Sequence, residues 1–274
     1  MSHGCDILYD TKGLICMEGT PPMDASVTKA EKCARLIKES QRIVLLSGAG
    51  MSTSAGLPDF RGPDGIYRRE MGVDPERIFD INWFIRDPSF FYGFHRDFLR
   101  SLEKIEPTFS HNFFAKLEET GKLSGVITQN IDALHQRAGS KRVLEIHGSV
   151  WESACMSCGK TWDYEKSVSM AFSSNVPRCD SCGGVVKPDV VFFGEMVKFL
   201  EESREMARNS DLFIVAGSSL VVTPAALLPS LSGGKIVVVN RGNIEERNLP
   251  RARVQIFADE DIDTFFRTVE RWLC

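Results

Sequence analysis

The chain has 274 residues, of which 43% are hydrophobic and 26% charged, so it is long enough for one or two globular domains with a substantial core. Its formal net charge of −4 gives no reason to expect direct nucleic-acid binding, and no apolar run approaches the length of a membrane helix. Residues 1–26 lack the basic and long apolar regions of a secretory signal. We therefore expect a cytoplasmic protein that uses no membrane.

The first half of the chain predicts an extension, a helix, a strand and a helical region, in that order. Residues 1–26 show little periodicity and predict a loosely ordered N-terminal extension. In VTKAEKCARLIKES apolar residues recur at helical spacing, with Asp24 or Ser26 as candidate N-caps. The apolar run RIVLLS is typical of a strand buried on both faces. An aromatic-rich stretch then predicts two helices that are broken at Asp87-Pro88.

The rest of the chain alternates between apolar strands and helices. The predicted strands are GVIT, RVLEIHGSV, KPDVVFFGE, DLFIVAGSS, KIVVVNR and VQIFAD. The predicted helices are SHNFFAKLEETGK, KFLEESREMARNS, TPAALLPSLSG and DIDTFFRTVERWL. This order predicts an α/β fold with a doubly wound, mostly parallel Rossmann-like sheet, into which a smaller zinc-ribbon and helical domain is inserted.

These elements divide into two predicted domains. The Rossmann-like domain comprises 27–62, 107–150 and 187–274. The small domain combines a helical module, 63–106, with a zinc-binding module, 151–186.

Four of the eight cysteines are clustered in the second module as C-x2-C-x20-C-x2-C. Two such knuckles can bring four thiolates to one zinc ion, and a closed site of this kind has a structural role because no position is left for water. Two redox pairs or simple core cysteines are the alternatives. Glycine follows the second cysteine of each knuckle, which suits a tight turn and favours zinc. The predicted ligands are Cys155, Cys158, Cys179 and Cys182.

Small residues follow two apolar strands and predict turns that can contact phosphate groups. Gly48 and Gly50 let the backbone approach a pyrophosphate closely, although a plain tight turn is the alternative. The segment 217–220, GSSL, offers a second phosphate contact, and Asn240 at another strand end can bond ribose hydroxyls. No acidic residue follows the first turn at the spacing that a dehydrogenase uses, which weakens an oxidoreductase assignment.

Polar residues at two further strand ends are candidates for catalysis. Gln129, Asn130 and Asp132 follow GVIT and should face the same crevice, although Asp132 could instead cap the next helix. His147 ends the strand EIHG, where an imidazole can act as a general base near neutral pH. A packed or surface histidine is the alternative.

Seven motifs in register resemble those of the sirtuins, the NAD-dependent protein deacylases, and in particular prokaryotic deacetylases. They are GAGMSTSAGLPDFRG, TQNIDALHQRAG, EIHG, the four cysteines, KPDVVFFGE, GSSLVVTPAA and VVVN. The resemblance runs from about Val27 to the C-terminus. It implies an enzyme with NAD as co-substrate and one structural zinc ion, and it does not require an oligomer.

The resemblance also implies which residues contact NAD. GLPDFRG matches a mobile loop that closes over the nicotinamide ribose, where Phe60 shields the vacated face and Arg61 anchors the phosphates. Asn130 and Asp132 match residues that hold nicotinamide in a strained pose, and Gln129 matches one that positions the ribose. The implied NAD contacts are Gly48, Ala49, Gly50, Ser52, Asp59, Phe60, Arg61, Gln129, Asn130, Ile131, Asp132, Gly217, Ser218, Ser219 and Asn240.

The implied reaction starts when the acyl-lysine amide oxygen attacks the anomeric carbon of the nicotinamide ribose. His147 then acts as the base that activates a ribose hydroxyl, and water finally releases free lysine and O-acyl-ADP-ribose. The substrate is an acyl-lysine protein or peptide, sandwiched as an extended strand between 190–195 and 219–222. Its implied contacts are Val191, Phe193, Gly194, Glu195 and Val222.

The chain departs from the family pattern at three places. Met51 replaces a usual isoleucine, and the segment after FFGE is slightly short. The branch that removes succinyl groups has a Tyr-x-x-Arg pair where this chain has His95 and Phe98, so we expect acetyl and other uncharged acyl groups, with Arg96 as a remaining cation. Protein ADP-ribosyltransfer and a non-catalytic NAD-sensing scaffold are the alternatives. Both are disfavoured, because Asn130, Asp132 and His147 are all present.

Overall fold

A computed structural model of the protein describes residues 28–59 and 75–273. The predicted extension over 1–26, with Asp24 and Ser26, lies outside the described residues, as do Phe60 and Arg61. Within the described ranges, no helix is long and apolar enough to cross a membrane.

The described residues form two β-sheets. A six-stranded sheet has the order β3-β2-β1-β7-β8-β9 and is parallel throughout, and a three-stranded antiparallel sheet has the order β5-β4-β6. The strands are β1 (Ile43–Ser47), β2 (Leu123–Thr128), β3 (Val143–Glu145), β4 (Gly148–Cys155), β5 (Thr161–Trp162), β6 (Val186–Val190), β7 (Leu212–Ala216), β8 (Lys235–Val239) and β9 (Val254–Ala258).

Helices cover both faces of the large sheet. The described helices are α1 (Lys29–Glu39), α2 (Ile81–Arg86), α3 (Pro88–Leu102), α4 (Phe109–Glu119), α5 (Leu134–Arg137), α6 (Tyr164–Ser173), α7 (Leu200–Arg208), α8 (Leu228–Leu231) and α9 (Ile262–Leu273). Alternate residues of β1 point to opposite faces, so Ile43 and Leu45 pack with α1, α4 and α9, whereas Val44 and Leu46 pack with α7 and α8. This two-sided burial confirms the doubly wound α/β fold.

Local chemistry fixes two helix boundaries. The Thr28 hydroxyl accepts a hydrogen bond from the Glu31 amide at 3.1 Å, so Thr28 is the N-cap of α1 and the prediction of Asp24 or Ser26 is wrong. The predicted break between α2 and α3 is confirmed. Asp87 caps α3 through the Ser89 amide, and Pro88 starts that helix, where a missing N–H costs nothing.

The segment predicted as one strand, RVLEIHGSV, forms two strands in different sheets. β3 ends at Glu145 and β4 begins at Gly148, so His147 lies at the junction. Gly148 has φ 71°, and a Cβ there would lie 1.8 Å from the Asp189 carbonyl oxygen. Only glycine permits this turn, which swings the chain from the large sheet into the small one.

The end of the zinc module also differs from its predicted position. β6 pairs antiparallel with β4, so 187–190 belongs to the small sheet rather than to the large one. The sequence could not show this, because a strand of the same length fits either sheet. The predicted helix TPAALLPSLSG is a 3-10 turn followed by the single helical turn of α8.

Candidate active site

A cleft of about 1700 Å³ opens at the carboxyl ends of the parallel strands and extends to the small domain. This edge of the sheet is where open α/β folds bind ligands. All predicted NAD and peptide residues line the cleft, except Phe60 and Arg61, which lie outside the described residues. The predicted residues that line it are Gly48, Ala49, Gly50, Ser52, Asp59, Gln129, Asn130, Ile131, Asp132, His147, Val191, Phe193, Gly194, Glu195, Gly217, Ser218, Ser219, Val222 and Asn240.

The two glycine turns pack directly on each other. The Gly50 amide donates to the Gly217 carbonyl at 2.9 Å. A Cβ on Gly48 would lie 2.6 Å from the Gly217 oxygen, and a Cβ on Gly217, which has φ 67°, would lie 2.3 Å from the Met51 nitrogen. These glycines therefore have a packing role in addition to any role in phosphate binding.

A buried hydrogen-bond network connects the first turn with the TQNID segment. The Asn130 side-chain amide donates to the Gly48 carbonyl at 3.1 Å and to the Ser52 hydroxyl at 3.2 Å. The Ser52 hydroxyl in turn donates to Asp132 Oδ2 at 2.7 Å. Because both amide hydrogens of Asn130 are used, its Oδ1 atom is left as an acceptor for a ligand.

Asp132 is held as a buried carboxylate at the floor of the cleft. It is 5% exposed, and burial raises its pKa above the usual 3.8, while hydrogen bonds from Leu134 and Ser52 oppose the shift. Its Oδ1 accepts the Leu134 amide at 3.0 Å, so the capping alternative weighed from sequence is present as well. One carboxylate thus orders both the start of α5 and the Ser52 hydroxyl.

His147 has a fixed tautomer at the centre of the cleft. Its Nδ1 lies 3.1 Å from the Gln129 carbonyl oxygen, which can only accept, so Nδ1 carries the hydrogen. The other ring nitrogen, Nε2, therefore has a free lone pair. Burial lowers the pKa of His147 below its usual 6.5, so the ring is neutral at neutral pH. A neutral imidazole with Nε2 unprotonated is the form that a general base requires.

A layer of polar residues beneath these groups was not predicted from the sequence. Ser47 Oγ contacts Thr128 Oγ1 at 2.9 Å and His135 Nε2 at 2.8 Å. Thr128 Oγ1 accepts the Asn130 amide at 3.1 Å. The signal was available, because a serine and a threonine end otherwise apolar strands, and His135 lies in the ALH motif. These residues support the backbone of Asn130 from below.

Two further polar residues, both predicted to contact NAD, line the cleft and order its loops. The Gln129 side-chain amide donates to the Ser218 hydroxyl at 2.8 Å, which joins the TQNID segment to the second small-residue turn. The Asn240 amide donates to the carbonyls of Arg241 and Gly242, at 3.2 and 3.4 Å. Asn240 thus orders its own loop, and its Oδ1 is left for a ligand.

The walls expected to hold a peptide have unpaired backbone groups. The Val191 amide donates to the His147 carbonyl at 2.8 Å, which ties this wall to His147. Within 28–59 and 75–273, the backbone groups of Gly194 and Val221 have no hydrogen-bond partner. Such groups on two facing walls can pair with an extended chain.

One face of α3 also lines the cleft, and of its lining residues only Phe98 was singled out from the sequence. It presents Phe90, Phe94, Phe98 and the carboxylate of Asp97. Arg96 points away, because its Nη1 donates to the Ala171, Ser174 and Asn175 carbonyls at the end of α6. His95 is buried against Phe91, with ring centroids 5.1 Å apart.

The four cysteines of the two knuckles fit a zinc ion. Their Sγ atoms all lie within 4.8 Å of one another, and the pairs Cys155–Cys182 and Cys158–Cys179 are 3.5 and 3.7 Å apart. Tetrahedral Zn–S bonds of about 2.3 Å require S–S distances of about 3.8 Å. Amides also donate to two of the sulfurs, which stabilises thiolates: Ser157 to Cys155 and Ser181 to Cys179, both at 3.4 Å.

The chain is similar to proteins of known activity over most of its length. The Sir2 family model matches residues 48–224. An NAD-dependent protein deacetylase from Thermotoga maritima is 45% identical, over 78% of this chain and 87% of the relative. A Sir2 structure described with a deacetylated p53 peptide and 3'-O-acetyl ADP ribose is 41% identical, with a TM-score of 0.81 over 88% of this chain and 97% of that one. A Sir2Tm structure bound to a propionylated peptide is 39% identical, with a TM-score of 0.79 over 90% of this chain and 100% of that one.

Proposed function

This chain belongs to the Sir2 family, and on that premise we propose that it is an NAD-dependent protein lysine deacetylase. It removes acetyl and other uncharged acyl groups from lysine and releases free lysine, nicotinamide and O-acyl-ADP-ribose. The observation that carries the proposal is the meeting of His147 with the Asn130, Ser52 and Asp132 network in one cleft. These residue types, in this arrangement, suit cleavage of nicotinamide rather than hydride transfer.

The polar network prepares the site for the first step. NAD supplies an anomeric ribose carbon that becomes electrophilic when its bond to nicotinamide breaks. Asn130 has its amide hydrogens fixed by Gly48 and Ser52, so its Oδ1 is oriented before a ligand arrives. Such preorganised dipoles cost no rearrangement during the reaction.

His147 performs the proton transfer that follows. Nε2 accepts the proton of a ribose hydroxyl, and the Gln129 carbonyl stabilises the imidazolium through Nδ1–H. The same base holds its place because its own carbonyl accepts the Val191 amide at 2.8 Å. The chain therefore couples the base to the wall that holds the peptide.

The acyl-lysine substrate is a protein segment that enters as an extended strand. The unpaired backbone groups of Gly194 and Val221 offer it main-chain hydrogen bonds. The face of α3 then selects the acyl group. Its phenylalanines accept an apolar chain, the Asp97 carboxylate is paired with Arg100 at 2.8 Å, and Arg96 is engaged at α6, so this face offers a succinyl carboxylate no unpaired cation.

Three further properties belong to the proposal. The large-sheet domain binds NAD, and the small domain comprises the helical and zinc modules, with 187–190 joining it through β6. The zinc ion is held by Cys155, Cys158, Cys179 and Cys182 and supplies fold stability. The protein works in the cytoplasm, where thiols stay reduced, as a closed four-thiolate site requires.

Mass spectrometry of an acetyl-lysine peptide tests the proposal. The peptide is incubated with the wild type or with His147→Ala, with and without NAD. Loss of the acetyl group that depends on NAD, with O-acetyl-ADP-ribose formed by the wild type and not by the variant, supports deacetylation. A peptide that gains ADP-ribose would move the protein to the transferase function. If peptides with acetyl to butyryl groups all stay unchanged, a non-catalytic NAD-binding scaffold would be the better account of the function.

A further inference from the structure

The short segment 194–199, here called the outer lip, follows β6 and forms one edge of the peptide cleft. Gly194, Glu195, Met196 and Val197 line the cleft, and the Met196 side chain is 89% exposed. The lip has no regular secondary structure of its own before α7 begins at Leu200. The conformation of the lip must therefore be fixed by contacts with residues outside it.

Two ion pairs fasten the outer lip to β6 with alternating charge. Lys187 of β6 pairs with Glu195 of the lip at 2.9 Å, and Asp189 of β6 pairs with Lys198 of the lip. Lys187 and Asp189 are two residues apart on a strand, so their side chains leave the same face. The order of charges is basic then acidic on β6, and acidic then basic on the lip. Only one alignment of the lip against β6 therefore pairs every charge with an opposite one.

The first of these pairs is closely packed. The Lys187 ammonium also donates to the Val190 carbonyl at 2.6 Å and lies 4.2 Å from the centroid of the Phe192 ring. The Glu195 carboxylate accepts the Phe192 amide at 2.8 Å. Glu195 is predicted to contact the peptide, and its carboxylate is engaged by Lys187 and the Phe192 amide, so this side chain also holds the lip.

The residue that forms the second pair, Lys198, also contacts the chain beside His147 through its backbone amide. The Lys198 amide donates to the Ile146 carbonyl at 3.0 Å, next to His147. The next residue, Phe199, has φ 51° in the left-handed region, a conformation that costs a non-glycine residue about 1 kcal/mol. The ion pair of the Lys198 side chain and the hydrogen bond of its amide together hold this turn in place.

We propose that Lys198 and Asp189 are positioning residues that preform the peptide-binding edge. The inference deepens the proposed function and rests on it. Because the lip is fixed before the substrate arrives, an extended peptide loses less free energy in ordering it. Breaking the pair therefore weakens peptide binding and leaves the chemical step and NAD binding unchanged.

Steady-state kinetics with a charge swap test the proposal. The half-exposed pair is screened by water, so Lys198→Asp and Asp189→Lys should each raise the peptide KM about two- to five-fold, with kcat and the NAD KM unchanged. The double variant Asp189→Lys with Lys198→Asp should return the peptide KM to near the wild-type value. Lys235→Ala, which removes the surface ion pair with Glu39 away from the cleft, is the control.

Hydrogen exchange adds a measurement that does not need activity. In the wild type the Lys198 amide should exchange slowly, and each single variant should speed its exchange while the swap restores protection. Unchanged peptide KM and unchanged exchange in the single variants would overturn the inference. A wild type that fails to deacylate would overturn the proposed function, and the exchange rates would still decide whether the pair fixes the lip.

Discussion

The Ser52 hydroxyl donates a 2.7 Å hydrogen bond to the carboxylate of Asp132, across 80 residues of sequence. Asp132→Asn removes the charge from this bond, so we expect kcat/KM to fall roughly ten- to hundred-fold. This loss corresponds to an increase of about 1.5–3 kcal/mol in the activation free energy. Ser52→Ala should have a similar effect. Because both changes break one bond, the double variant should lose less than the sum of the two. Nicotinamide release in steady state provides the measurement.

Ser54→Ala is the control for this cycle, since Ser54 lies in the same turn and is exposed outside the cleft. Its kcat/KM should equal that of the wild type. Additive losses in the double variant would show that Ser52 and Asp132 act separately.

The face of α3 predicts which acyl groups are poor substrates. Asp97 lines the cleft, and Arg96 is engaged by carbonyls of α6. A succinyl-lysine peptide should therefore react at least about ten-fold more slowly, in kcat/KM, than the acetyl peptide, because the one charged α3 side chain that lines the cleft is Asp97, an anion paired with Arg100. Phe98→Arg should narrow this gap, and Phe98→Leu is the size-matched control. Equal rates for acetyl and succinyl peptides in the wild type would contradict the prediction.

Zinc removal should cost stability and, through β4, activity. Cys155 ends β4, whose first residue follows His147. Cys179→Ser should abolish binding of one zinc ion per chain and lower the thermal midpoint by several degrees, with parallel loss of deacetylation. Atomic absorption measures the bound zinc, and thermal unfolding measures the midpoint. Cys33→Ala, on the core-facing side of α1, should keep its zinc, and metal retained in Cys179→Ser would disprove the ligand assignment.

The contact between the two glycine turns predicts a large effect of one methyl group. Gly217→Ala must relieve a 2.3 Å approach to the Met51 nitrogen and also adopt φ 67°. Gly121→Ala meets only the conformational cost, since Gly121 has φ 74° and no atom within 4 Å. We expect about 1 kcal/mol of destabilisation for Gly121→Ala and clearly more for Gly217→Ala, which should also raise the NAD KM. Equal losses in urea unfolding would exclude a packing role.

Sequence predicted the large sheet well because its central strands, β1, β2, β7 and β8, are buried on both faces and read as continuous apolar runs. The junction at His147 was different. RVLEIHGSV has one pattern throughout, and only the close approach of Gly148 to Asp189 ends β3 and starts β4. Contacts that are distant in sequence decide such a turn, so a local pattern cannot reveal it.

The candidate site also combines features that local sequence motifs predict with features that depend on contacts distant in sequence. Motifs predicted the residues that face the cleft, because each follows a strand. They did not predict that Glu195 turns to Lys187 or that Arg96 turns to α6, since a side chain's direction depends on partners elsewhere in the chain. Ser47 was missed although it ends an apolar strand, and the motif residue His135 was given no role, because their contact joins residues 88 positions apart.

Buried histidines predict an acid-sensitive fold. Burial, together with Arg96, lowers the pKa of His95 from 6.5 to about 4, and burial lowers that of His111 to about 4. Between pH 6.5 and about pH 4 the unfolded chain binds protons that the folded chain does not. The contribution of these histidines to the free energy of unfolding is therefore fully present above pH 6.5 and is lost as the pH falls toward 4. Each histidine contributes a slope of up to about 1.4 kcal/mol per pH unit.

His95→Phe isolates one of these contributions, because a phenyl ring can stack on Phe91 as the imidazole does. The loss in free energy of unfolding between pH 7 and pH 5 should be smaller than in the wild type by about 2 kcal/mol. Urea unfolding at the two pH values provides the measurement. Tyr92→Phe, a buried neighbour that loses its bond to the Val186 carbonyl, should lower stability equally at both. If His95→Phe keeps the full wild-type pH dependence, His95 must bind protons equally in the folded and unfolded chain over this range, and the acid sensitivity must come from other groups.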